Sequence, residues 1–227
     1  MLSSPYEYVE LTKETNESTG IRHYNTPDKE FLPSVTTILS QTVDPEDNKA
    51  LEAWKEFMGE KRANQIRDEA ANRGTVMHRR LEYHVKGIEK KVGSNFVQQQ
   101  GYNMSKVIIE KGLSQMTSLW GSEITLWFPG LYAGSTDLVG EWNGKPAIVD
   151  FKQANKKKTD AVITNYKTQL CAYAMAHNEI YGTEINTGVV LVCTVALEYQ
   201  EFILEKNEFN EYSDKWLNRV ELYYKSL

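Results

Sequence analysis

The segment Gly134–Gln153, GSTDLVGEWNGKPAIVDFKQ, restricts the fold of this chain more than any other stretch. Asn143-Gly144 separates two strand-like runs, and this dipeptide favours a two-residue hairpin because both positions tolerate positive φ. The turn places Asp137 and Asp150 on neighbouring strands. Side chains alternate faces along a strand, so Asp150 and Lys152 point one way and Phe151 the other. The apolar run Ala147-Ile148-Val149 before Asp150 reads as a buried strand. Two carboxylates and an amine then converge at one end of a sheet. Such oxygens bind a hard divalent cation, and an adjacent lysine can orient or deprotonate water. A surface hairpin with solvated charges is the plainer alternative.

Elsewhere strands alternate with long helical patterns, which indicates a mixed α/β fold. Residues 6–11 and 21–25 read as a small hairpin, and Ser34 caps a short helix over SVTTILSQT. Asp44-Pro45 opens a helical region that runs to Arg73, where Gly74 interrupts it before a helix over Thr75–Lys86. Gly87–Ser94 reads as a turn, residues 96–119 as a helix and Glu123–Phe128 as a strand. The hairpin strands cover 131–141 and 146–152, and a helix spans Asp160–Tyr181 up to Gly182. Strands at 187–195 and 199–205 precede a last helix over Glu208–Tyr224. At 227 residues and 41% hydrophobic, the chain is expected to form a single domain over 1–227. Within it, 1–118 would be the N-terminal hairpin and helical region and 119–227 the core.

No apolar run approaches the ~20 residues of a membrane span. The N-terminus lacks the features of a secretory signal, and its glutamates argue against a mitochondrial transit peptide. Cys171 and Cys193 lie in apolar segments and read as buried reduced thiols in a cytosolic protein, too few for an iron–sulfur cluster. The net charge of −5 is mildly unlike a nucleic-acid coat. Its distribution matters more. Lys152, Lys156, Lys157 and Lys158 adjoin the proposed metal site, and Lys55, Lys61, Arg62, Arg67, Arg73, Arg79 and Arg80 stud the helices before it, as expected of a basic channel.

His78 lies in RGTVMHRRLEYH, flanked by Arg79 and Arg80, with Glu82 one turn on. His23, His84 and His177 have no supporting neighbours and read as structural. Glu123 is either a strand-edge charge or part of a site. Gln169 and Tyr173 share one helix face and could be core packing or contacts to a strand.

These pieces together resemble the PD-(D/E)xK nuclease superfamily, and within it the RecB-like exonucleases. The resemblance rests on Gly74-Thr75 with His78, then Glu123, Gly134 with Asp137, Asp150 with Lys152, and Gln169 with Tyr173, in the family's order. Pro33–Leu39, PSVTTIL, is similar to a helix of phage and mitochondrial exonucleases of this kind. Ser135-Thr136 stands where the family often has proline before the first aspartate.

The resemblance implies a restriction-endonuclease-like core, a mixed central sheet flanked by helices. It implies Mg²⁺ or Mn²⁺ held by His78, Asp137, Asp150 and the Phe151 carbonyl, with Glu123 as a weaker candidate. Lys152 would orient the attacking water and have its pKa lowered by the cation. Gln169, Tyr173, Gln153, Arg79, Arg80, Lys156, Lys157, Lys158 and Ser34 are the expected DNA contacts. The implied activity is exonucleolytic hydrolysis of DNA, single-stranded with a free end, beneath a helical roof formed by Asp44–Lys86. The setting would be replication, recombination or repair in a bacterial cytoplasm or a phage-infected host, with any helicase, recombinase or single-strand-binding partner on a separate chain. An endonuclease on the same core and a non-cutting DNA-end-binding protein remain alternatives.

Overall fold

The structure, a computed structural model, describes residues 3–90 and 93–227; residues 91 and 92 of the expected Gly87–Ser94 turn, and the first two of the chain, lie outside it. Its centre is a five-stranded mixed sheet of β4 (Met116–Phe128), β5 (Tyr132–Trp142), β6 (Lys145–Ala154), β7 (Thr187–Thr194) and β8 (Tyr199–Glu205), in that order. Asn143 and Gly144 make the β5–β6 turn with φ of 49° and 80°, the left-handed pair that a two-residue hairpin requires. The sheet is antiparallel except between β6 and β7, which are parallel. A parallel pair needs a crossover. Helix α5 (Thr164–Tyr181), preceded by a 3₁₀ turn at Asp160–Ile163, supplies it.

Alternation along the strands divides the core into two layers. Val139, Ile148, Val190 and Val192 face α5, α1 (Val35–Gln41) and α6 (Lys206–Lys225). Leu138, Val149, Val189 and Leu191 face α3 (Glu60–Val85) and α4 (Phe96–Lys111). The expected α/β core, a mixed sheet flanked by helices, is therefore the observed one. Both cysteines are buried free thiols, as expected.

The N-terminal region departs from the expected hairpin. It is a three-stranded antiparallel sheet, β1 (Thr12–Thr15), β2 (Arg22–Asn25) and β3 (Phe31–Pro33), and residues 6–11 are not a strand. Ser34 caps α1 by accepting from Thr37 N, and Asp44 caps α2 (Pro45–Met58) by accepting from Glu46 N, with proline in its first turn. The helix break expected at Gly74 lies instead at Gly59, whose φ is +77°. Helix α3 runs unbroken through Gly74, where a Cβ would stand in van der Waals contact with Gln153 Cγ on β6, 3.4 Å away. The expected 96–119 helix stops at Lys111, and a 3₁₀ turn leads into β4 at Met116.

Candidate metal centre

The β5–β6 pairing stops at Leu138 opposite Val149. Beyond that pair the strands fork, and Asp137 and Asp150 stand at the fork. Phe151 N donates to Asp137 Oδ2 at 2.7 Å, filling the bond that the parted strand leaves open. The other oxygen, Oδ1, lies 3.1 Å from His78 Nδ1 on α3. On the far side of β5, Glu123 faces Asp137 between the Ser122–Leu138 and Ile124–Thr136 pairs. Its φ is +54°, a conformation that costs a glutamate energy and marks functional sites. His78, Glu123 and Asp137 thereby bring one ligand atom each within 4.8 Å of one another.

Asp150 is 3% exposed and faces Lys152, as the strand alternation requires. Its Oδ2 lies 2.5 Å from Lys152 Nζ, yet makes no hydrogen bond of regular geometry among the described residues. Lys152 Nζ also reaches Gln169 Oε1 at 3.4 Å, and Gln169 Nε2 donates to the Tyr173 hydroxyl at 3.1 Å. The Tyr166 ring lies under the ammonium at 4.9 Å, a further electrostatic hold. Tyr173 is buried against Gly134, where a Cβ would come within 2.8 Å of its ring. The glycine three residues before Asp137 is thus what lets the Tyr173 helix close on β5.

Charge is unevenly compensated here. Burial pushes the Asp150 carboxyl up, Lys152 only partly offsets this, and the group sits at about 6. Burial and Asp137 raise Glu123 to about 7, although its exposed edge lets solvent moderate the effect. Burial opposes ionisation of Asp137 too, but His78, Lys152 and the Phe151 N–H more than offset it and hold it below its ordinary value. Burial disfavours the His78 cation, yet Asp137 raises the group above the ordinary value. For Lys152, burial is outweighed by Asp150 and Asp137, so its ammonium is held above the usual lysine value. The lowering expected from a neighbouring cation is therefore not the state of the protein alone.

The donor set fits a hard dication. It consists of carboxylate oxygens and one imidazole without thiolate, and includes a buried oxygen lacking a regular hydrogen bond. Glu123 joins His78 and Asp137 more closely than its sequence standing suggested, whereas Asp150 is turned towards Lys152.

The expected strand contacts are scattered more widely. Arg79 and Gln153 line the cleft over the site, together with Lys13, Gly74, Thr75 and Glu82. Lys13 had no signal beyond a charge on a short strand. Arg80 turns elsewhere, donating to Lys90 O at 2.7 Å and lying over Tyr102. Lys156 is exposed, Lys157 pairs with Glu198 at 3.0 Å, and the backbone of Lys158 is clamped by Gln200. Two of the expected contacts are buried: Ser34 is 2% exposed and caps α1, and Tyr173 is 3% exposed with its hydroxyl bonded to Gln169. Arg73, counted in the basic channel, is also buried.

No family model matches the chain. Mitochondrial genome maintenance exonuclease 1 of Mus musculus is 29% identical over 202 residues, covering 85% of this chain and 59% of that protein. The Homo sapiens protein of the same name is 28% identical over 206 residues, with 86% and 59% covered. The chain thus spans about three fifths of the length of these relatives. Among solved structures, a putative exonuclease from Eubacterium rectale overlaps in part, at 14% identity and TM-score 0.47 over 66% of this chain and 64% of that one. In sequence the chain is similar to mitochondrial genome maintenance exonuclease 1 along most of its length, and the exonuclease resemblance carried by its five motifs stands.

Proposed function

We propose that the chain is a metal-dependent exonuclease of the PD-(D/E)xK type that hydrolyses phosphodiester bonds from free ends of single-stranded DNA. The observation that carries this reading is the convergence of His78, Glu123 and Asp137 beside the buried Asp150–Lys152 pair. A bound Mg²⁺ or Mn²⁺ would supply charge neutralisation at the phosphate and acidify the attacking water. His78, Asp137 and Glu123 would hold it, with Asp150 completing the set. Lys152, fixed by Gln169 and the Tyr166 ring, orients the water through its ammonium and offers charge to the phosphate. Arg79 and Lys13 give the cleft a cationic edge for the backbone. Such an activity suits end processing in replication, recombination or repair.

The test is degradation of end-labelled linear and circular single-stranded DNA with and without Mg²⁺. Stepwise loss of the linear strand in Mg²⁺, with the circle spared, supports the reading. Rapid nicking of the circle moves the function to an endonuclease, and undiminished cleavage in excess EDTA removes the metal centre from it.

A further inference from the structure

Arg73 sits mid-way along α3 with 4% exposure. A buried guanidinium normally pairs with a carboxylate, because its desolvation is otherwise uncompensated. Among the described residues Arg73 has no ion pair. Glu69, one turn earlier, accepts from Gln65 Nε2 at 2.8 Å instead. Arg73 Nε and Nη2 donate to Gln153 Oε1 at 3.0 and 2.8 Å, and Nη2 donates to Asn155 Oδ1 at 2.6 Å. Two neutral oxygens are a poor counter-ion, so stability alone does not account for this arrangement.

A guanidinium has donors only, so whatever it faces must be an acceptor. This fixes the amide orientation of Gln153: the carbonyl oxygen is taken, and the NH₂ group is left for the cleft that Gln153 lines with His78, Glu123 and Asp137. Helix packing holds the geometry. Gly101 lets α4 press on the Arg73 carbonyl, where a Cβ would stand 2.7 Å away. A glutamine reads adenine by using donor and acceptor together. With its acceptor occupied, Gln153 can serve only as a donor, and among the acceptors of a strand the phosphate oxygens are the ones that every nucleotide offers alike.

We propose that Arg73 is a positioning residue that makes Gln153 a donor-only contact to a phosphate of the bound strand, so that this part of the grip ignores base sequence. The inference rests on the nuclease reading. Gln153→Glu separates fold from function, because it gives Arg73 a carboxylate while turning an anion towards the cleft. The expected result is a thermal midpoint equal to or above wild type. KM for a mixed-sequence single-stranded oligonucleotide should rise about tenfold, the size of one charged hydrogen bond, with kcat within about twofold. Gln153→Ala should weaken binding several-fold and equally for oligo-dA, oligo-dT and oligo-dC, measured in Ca²⁺. Arg73→Lys, which keeps the charge but cannot reach both amides, should raise KM with kcat nearly retained. Wild-type KM in Gln153→Glu, a lowered midpoint in that variant, or a loss in Gln153→Ala confined to one base would overturn the proposal. If wild-type protein neither binds nor cuts any oligonucleotide, the nuclease reading falls instead, and the midpoint of Gln153→Glu still tests the Arg73 contact.

Discussion

The floor of the cleft and the helical arm before it are built on opposite terms. The floor, β5 and β6, is largely buried, and at the fork Asp137 is held by His78 and the Phe151 N–H while Asp150 faces Lys152. The arm, α2 with the first turns of α3, is almost entirely exposed. Leu51, Trp54 and Phe57 are 49, 39 and 88% exposed, and α2 packs mainly on α3. Packed strands can hold reacting groups to tenths of an ångström, whereas an exposed helix with an apolar stripe is suited to contact something outside the molecule. The cleft wall itself comes from the middle of α3 and from Lys13 on β1, with no α2 side chain among it in the described residues. The expected roof over Asp44–Lys86 is therefore, at the site, a wall formed by the later part of that stretch.

If the floor does the chemistry, its charges should be the most costly to alter. Lys152→Ala should lower cleavage by at least ~10²-fold, the scale of losing a positioned proton-handling or charge-stabilising group. It also removes the cation that holds the Asp150 carboxyl down to about 6, so the variant should melt earlier, and the difference from wild type should grow above pH 6, where the wild-type carboxylate is ionised beside the ammonium. Single-turnover rates and melting curves check both points. Full activity in Lys152→Ala would contradict the assigned role.

Acidity provides a second test, of intermediate size. Asp150 and Glu123 have folded values of about 6 and 7 against ordinary values of 3.8 and 4.5. The folded state therefore keeps protons that the unfolded chain releases, and stability falls as pH rises between about 4 and 7. His78, raised above 6.5, adds stability at low pH that is lost as pH climbs through its folded value. Asp137, lowered, works the other way, but only below its ordinary value of 3.8. The metal-free protein should melt a few degrees lower at pH 8 than at pH 5. Added Mn²⁺ should raise the midpoint more at pH 8, where the ligands are already deprotonated. A midpoint that rises with pH, or a metal effect that shrinks, would mean that these groups are not the ligands.

The arm should respond least in stability. Trp54→Ala and Phe57→Ala should change the melting free energy by less than ~0.5 kcal/mol, as for surface substitutions away from packed features. If the arm grips the strand, they should weaken oligonucleotide binding more than they slow each cleavage. A large loss of stability would instead place these side chains in a core. Lys156→Ala should reduce the salt dependence of DNA affinity by ~1 in slope and do so equally across sequences.

The same contrast explains what was legible in the sequence. Asp137, Asp150 and Lys152 could be placed because a two-residue turn and a period of two fix strand geometry over short distances. Glu123 was harder to rank: its left-handed backbone goes against the preference of its own residue type, so no local rule announces it. Gly74 read as a helix break because glycine is a weak helix former, whereas α3 continues through it and packs it beside Gln153 on β6. Arg73 meets partners eighty residues and more away in sequence, which no periodicity reveals. Gln169 and Tyr173 were correctly set on one helix face, but their work, holding Lys152 and packing on Gly134, depends on a crossover that only the fold shows.

The central claim is that the β5–β6 fork holds a divalent cation. Crystals soaked in Mn²⁺ and measured at the manganese edge test it directly. The account predicts anomalous density bonded to Asp137 and to at least one of His78, Glu123 and Asp150, lost in Asp137→Asn together with cleavage. Fully active protein showing no anomalous density at the fork would contradict it.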